Sequence, residues 1–105
     1  MKVNEIVIRL QKEFPFIVRK CRLHFYDRIG LVKAKRRNDL MDSREYDESA
    51  YKDLRTTMML SYLGIDLRDI DKLINKNNKA TFDKIALTLK GKAKVLKQLK
   101  KELEV

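Results

Sequence analysis

Six side chains able to meet an anion fall within residues 19–28: Arg19, Lys20, Arg22, His24, Tyr26 and Arg28. Arginine can clasp two acceptors through its planar fork. Lysine offers a point charge and tyrosine a hydroxyl donor. An isolated helix with this charge repels itself, whereas a row of phosphates opposite it is stabilising. Two or three of the six are expected at base edges and the others on phosphate. The plainer alternative for each is a solvated surface cation. For Tyr26 it is a half-buried ring packed under the neighbouring hairpin.

A second basic group follows at Lys33, Lys35, Arg36 and Arg37, with Arg44 beyond it. Leu31-Val32 leads into the cations, Asn38-Asp39 offers a turn, and Arg44-Glu45-Tyr46 returns. This pattern predicts a basic two-stranded hairpin. Alternation places Lys33, Lys35 and Arg37 on one strand face. Backbone phosphate, or a minor groove entered by arginine, is the expected use. Cys21 and His24 share a helix face, but a structural metal site needs about four ligands and no other Cys or His exists. No metal and no cofactor are expected. No nucleophile–base pairing or phosphate-cradling glycine loop is visible, so an enzyme is not expected.

Charge is distributed in the same sense. The 105 residues carry 25 Lys+Arg against 15 Asp+Glu, a net +10. Residues 1–37 balance at +8, residues 38–78 at −3 and residues 79–105 at +5. Two basic ends around a mildly acidic middle fit a polyanionic partner, because each neutralised phosphate releases counterions. The hydrophobic fraction of 44% is enough for a core, and three glycines and one proline disfavour a turn-rich all-β fold. The longest apolar run, residues 14–18, is too short for a membrane span or a signal segment. A cytoplasmic, mostly helical protein is expected.

The elements that must position these side chains can be read in order. Val3, Ile6, Val7, Leu10 and Phe14 recur at helical spacing, and Pro15 ends that helix near Phe14. Residues 17–28 form a second helix, closed by Gly30. After the hairpin, Asp47 caps a helix with Tyr51, Leu54, Met58 and Tyr62 on its apolar face, ended by Gly64. Asp66 caps a short helix lined by Leu67, Ile70, Leu73 and Ile74, and residues 75–78 form a polar link. Thr81 is placed to cap the last helix.

In that last helix Phe82, Ile85, Leu89, Lys92, Leu96, Leu99 and Leu103 step by three and four, an a/d heptad with one polar exception. Pairing of Phe82, Ile85, Leu89, Leu96, Leu99 and Leu103 with a second chain is expected. Lys92 would weaken that seam while fixing its register or orientation.

Three spaced blocks carry a family resemblance. Residues 23–31, Leu-His-Phe-Tyr-Asp-Arg-Ile-Gly-Leu, resemble the L-R-Y-Y-E-R-I-G-L signature of MerR-type transcriptional regulators. Arg44-Glu45-Tyr46 is similar to the R-x-Y that closes that family's wing. Leu54, Leu60, Leu63-Gly64-Ile65, Leu67 and Ile70 are similar to its L…L-x-x-L-G-F-S-L-x-x-I pattern. The resemblance covers about residues 17–74. It implies a winged helix-turn-helix whose second helix enters the major groove and whose small β-hairpin wing contacts flanking backbone. It adds Tyr46 to the DNA-contacting residues and pairs the last helix antiparallel with its mate.

The departures are a longer stretch at residues 11–18, Phe25 where a tyrosine is frequent, His24 for an arginine, and a wing about one residue longer. The chain ends with the pairing helix and carries no cysteine pair beside it, so induction by a small ligand or metal is not expected.

The expected organisation is a mainly α protein, with a winged helix-turn-helix over residues 1–78 and a coiled-coil dimerisation helix over residues 79–105. The expected function is sequence-specific regulation of transcription by a homodimer on a pseudo-palindromic double-stranded site. RNA polymerase is a candidate partner. An excisionase-like or architectural recombination factor is the alternative. A protein–protein adaptor with basic ends is a third.

Overall fold

The computed structural model describes residues 1–36 and 44–104. It is mainly helical: α1 (Val3–Glu13), α2 (Lys20–Arg28), β1 (Lys35–Arg36), β2 (Arg44–Glu45), α3 (Glu48–Tyr62), α4 (Leu67–Asn75) and α5 (Lys79–Leu103). The chain divides into two compact units, Met1–Met59 and Leu60–Val105. Among the described residues no helix is long and apolar enough to cross a membrane.

In the first unit α1 stops where Pro15 requires, with Phe14 already extended. Ile6 and Leu10 are its buried residues, and α1 packs against α2. The link between them is held by one side chain. Gln11 donates through Nε2 to the Phe16 carbonyl and accepts the Val18 amide on Oε1, both at 2.8 Å. The clamp spans a link that bends at residues 15 and 16 and is extended at Arg19; α2 begins at Lys20, and Ile17 lies outside it, exposed.

Gly30 closes α2. Its φ of +77° is a left-handed conformation that costs glycine little. The Gly30 amide reaches the Asp27 carbonyl and the Leu31 amide reaches Tyr26, two bonds that satisfy the last turn. Gly64 ends α3 in the same way, with φ +84° and amide bonds from Gly64 to Ser61 and from Ile65 to Leu60. At the other end of α3, Asp47 Oδ1 accepts the Ala50 amide at 2.8 Å.

The expected basic hairpin is present, antiparallel, among the described residues. β1 and β2 are two residues each, paired Lys35↔Glu45 and Arg36↔Arg44. Lys33 precedes the strand, and Arg37 with the expected Asn38–Asp39 turn lies outside the described residues. The opposite edge of β2 is also occupied. Lys2 bridges Glu45, and the Tyr46 amide donates to the Met1 carbonyl at 2.7 Å.

In the second unit α4 and α5 pack as a helical hairpin around Ile70 and Ile85. Asp66 caps α4 by accepting the Arg68 amide. The cap of α5 is Asn78, whose side chain accepts the Thr81 amide at 3.2 Å. Thr81 therefore sits inside the helix, buried, rather than at its cap. Asn77 makes the tight link possible through a positive φ of 47°, a conformation asparagine tolerates. Tyr62, expected on the apolar face of α3, is exposed.

Candidate nucleic-acid interface

The nine residues of α2 have two faces. Leu23, Tyr26 and Asp27 are spaced three and four apart and are buried. That arrangement turns the remaining positions outward. Lys20 and Arg28 are exposed and His24 is half-buried, and their spacing of four aligns them along one outer row. Arg22, also exposed, stands on the other flank. Arg19 is the extended residue just before the helix and is exposed. The fold thus leaves Arg19, Lys20, Arg22 and Arg28 as solvent-facing cations at the start and on both flanks of α2.

Tyr26 leaves that set. Only 1% of it is exposed, because its place three residues after Leu23 puts it in the core. Tyr46 is equally buried, at the end of β2 against the N-terminal chain, and it too is a packing residue rather than a surface donor.

The second basic group is divided by Asp27. This carboxylate accepts the Ala34 amide on Oδ1 at 2.9 Å, and on Oδ2 it accepts Arg36 Nη2 at 2.6 Å and Arg44 Nε at 2.8 Å. One buried side chain of α2 therefore grips both strands of the hairpin. Burial alone raises the Asp27 carboxyl. The hydrogen bonds from Arg44 and the Ala34 amide, with the charges of Arg36 and Arg44, outweigh it and hold the group below the ordinary carboxylate range. Arg44 is largely enclosed, its side chain 12% exposed, so its guanidinium is structural. Arg36 keeps an exposed side chain but shares the same anchor. Both were expected to face a ligand directly. Their first partner is Asp27, the single acidic residue between Glu13 and Asp39.

Among the described residues, Lys33 and Lys35 are outward cations at the hairpin that do not bind Asp27. Lys35 reaches Asp47 only at 3.5 Å across solvent, a weak tether that leaves its charge available. Arg9 of α1 braces the far side, 2.7 Å from Glu48 and stacked 3.8 Å over the Tyr51 ring. Arg55 pairs with Glu13 at 3.0 Å. Cys21 is exposed, and no group of three metal-ligating side chains occurs among the described residues.

On α5, Phe82, Leu96, Leu99 and Leu103 are exposed and Leu89 is half-buried. Ile85 departs from the expected seam, because it is 5% exposed within its own chain, where α4 packs on α5. Lys92 has a local explanation. A Cβ built on Gly64 would lie 3.5 Å from its Nζ, so the amine sits beside the turn that ends α3.

A family model described as MerR HTH family regulatory protein matches residues 18–77. No curated protein and no solved structure matches the chain. The matched span begins after α1 and takes in α2, the hairpin, α3 and α4.

Proposed function

The chain belongs to the MerR HTH family of regulatory proteins, whose work is DNA-binding transcription regulation, and from that premise we propose a sequence-specific regulator acting as a homodimer on a pseudo-palindromic duplex. The carrying observation is the construction of unit 1. Four exposed cations stand on and before α2, and Asp27 locks that helix to both arms of the basic hairpin.

In this reading α2 enters the major groove, with Arg22 reading a base and Arg19, Lys20 and Arg28 gripping phosphate. Half-buried His24 is a short-range donor at the same surface. Lys33 and Lys35 touch flanking backbone, while Arg36 and Arg44 hold the wing at a fixed angle to α2. Residues 1–78 serve as the DNA-binding part and residues 79–105 as the pairing helix. Leu96, Leu99 and Leu103 form the seam with a second copy, supported by Phe82 and Leu89. Two wings on successive grooves bend or untwist the site, which realigns or blocks RNA polymerase at a promoter. The site of action is the cytoplasmic nucleoid.

Selection of bound duplexes from a random pool, followed by footprinting, tests the reading. It predicts a two-fold symmetric motif with half-sites about one helical turn apart. Recovery of no motif would contradict it.

A further inference from the structure

Residues 84–101 of α5 contain seven lysines and no acidic residue. Three of the seven have local roles. Lys84 lies 3.0 Å from Asp69, Lys92 sits by Gly64, and Lys100 pairs with Glu104 at 4.0 Å. The other four, Lys90, Lys94, Lys97 and Lys101, are exposed, and among the described residues none enters an ion pair.

Their spacing is four, three and four. At 100° per residue this gathers all four within an arc of about 60° and spreads them over about 16 Å of helix. The arc lies nearly opposite the stripe of Leu89, Leu96, Leu99 and Leu103, so a partner on that stripe would leave the ridge open. Like charges at this spacing repel, which makes an uncompensated lysine ridge unfavourable for the helix alone. A rod of closely spaced negative charge relieves the repulsion. Duplex DNA presents one charge per about 1.7 Å of its axis.

We propose that Lys90, Lys94, Lys97 and Lys101 form a second contact with the DNA backbone, separate from α2 and the hairpin and indifferent to sequence. The inference rests on the DNA-binding reading above. It makes α5 more than a pairing element, because the outer face of the same helix holds a flanking or second duplex.

The test replaces all four by glutamine, which matches lysine in helix propensity and removes only the charge. Binding of the full chain to a duplex of random sequence is measured between about 50 and about 200 mM salt. The slope of log K against log salt should fall by about 0.9 per lost contact, up to about 3.6 per chain. A four-arginine variant should restore it. A chain with Arg19→Ala, Lys20→Ala and Arg22→Ala should keep residual random-duplex binding that vanishes when the glutamines are added.

A glutamine variant with the parent slope and affinity would overturn the ridge while leaving the α2 reading intact. So would a variant that loses adhesion to phosphatidylserine vesicles while its DNA slope is unchanged. A parent chain that binds no duplex at all would overturn both.

Discussion

Arg36 and Arg44 stand directly opposite each other across the hairpin, and both guanidiniums converge on one oxygen of Asp27. Like charges facing each other across strands are destabilising. The carboxylate between them converts a repulsive pair into a three-residue clasp, and because Asp27 belongs to α2, the clasp also sets the wing on the helix.

Asp27→Asn should therefore destabilise the protein by about 2–4 kcal/mol, since it strands an enclosed Arg44 charge. Urea denaturation of the two proteins measures this. The wing should also loosen first, with faster amide exchange at Ala34 than in the helices. Equal stability and unchanged exchange would show that the clasp does nothing.

The same carboxylate gives an acid dependence of definite sign. Its pKa is lowered in the folded chain, so its contribution is fully present above the ordinary aspartate value near 4 and is lost as pH falls through the lower folded value. The stability gap between parent and Asp27→Asn should be constant from about pH 5 upward and close below about pH 4. A gap that widens on acidification would reverse the assignment.

Cations on α2 and on the hairpin should differ in kind. Arg22→Ala should cost about 1–3 kcal/mol on the selected duplex and relax preference at one symmetric pair of positions. Lys33→Ala with Lys35→Ala should weaken selected and random duplexes alike, and lower the salt slope by about 0.9 per lost contact. Identical behaviour of the two variants would remove the division between reading and gripping residues.

For the pairing helix, Leu96→Lys with Leu99→Lys should give a monomer in sedimentation equilibrium, because both positions are exposed in the single chain and belong to the proposed seam. Ile85→Ala should instead lower the stability of the single chain, by about 2–5 kcal/mol. A dimer that survives the paired lysines would place the interface elsewhere.

Much of this architecture is legible in local signals. Pro15, Gly30, Gly64 and the capping aspartates at 47 and 66 act on their immediate neighbours, and the helices end and begin where those residues require. The exposed cations of α2 follow from the burial of Leu23 and Tyr26, one turn apart. What escaped depends on distant chain. Arg44 reads as a surface cation until Asp27, 17 residues away, is seen to bind it. Tyr46 becomes core only because Met1 and Lys2 lie along β2. At the start of α5, Thr81 reads as the cap, yet Asn78, expected only as part of a polar link, holds that place. Asparagine is the better cap, and Asn77 makes the turn that favours it. Ile85 keeps perfect heptad spacing but is buried by α4.

Sequence reading must separate one duplex from another. The decisive quantity is the ratio of the chain's affinities for the selected duplex and for a scrambled duplex of equal length, at one salt concentration. The expected ratio is at least about 1,000 and falls on Arg22→Ala. A ratio near one, unchanged by that substitution, would contradict it.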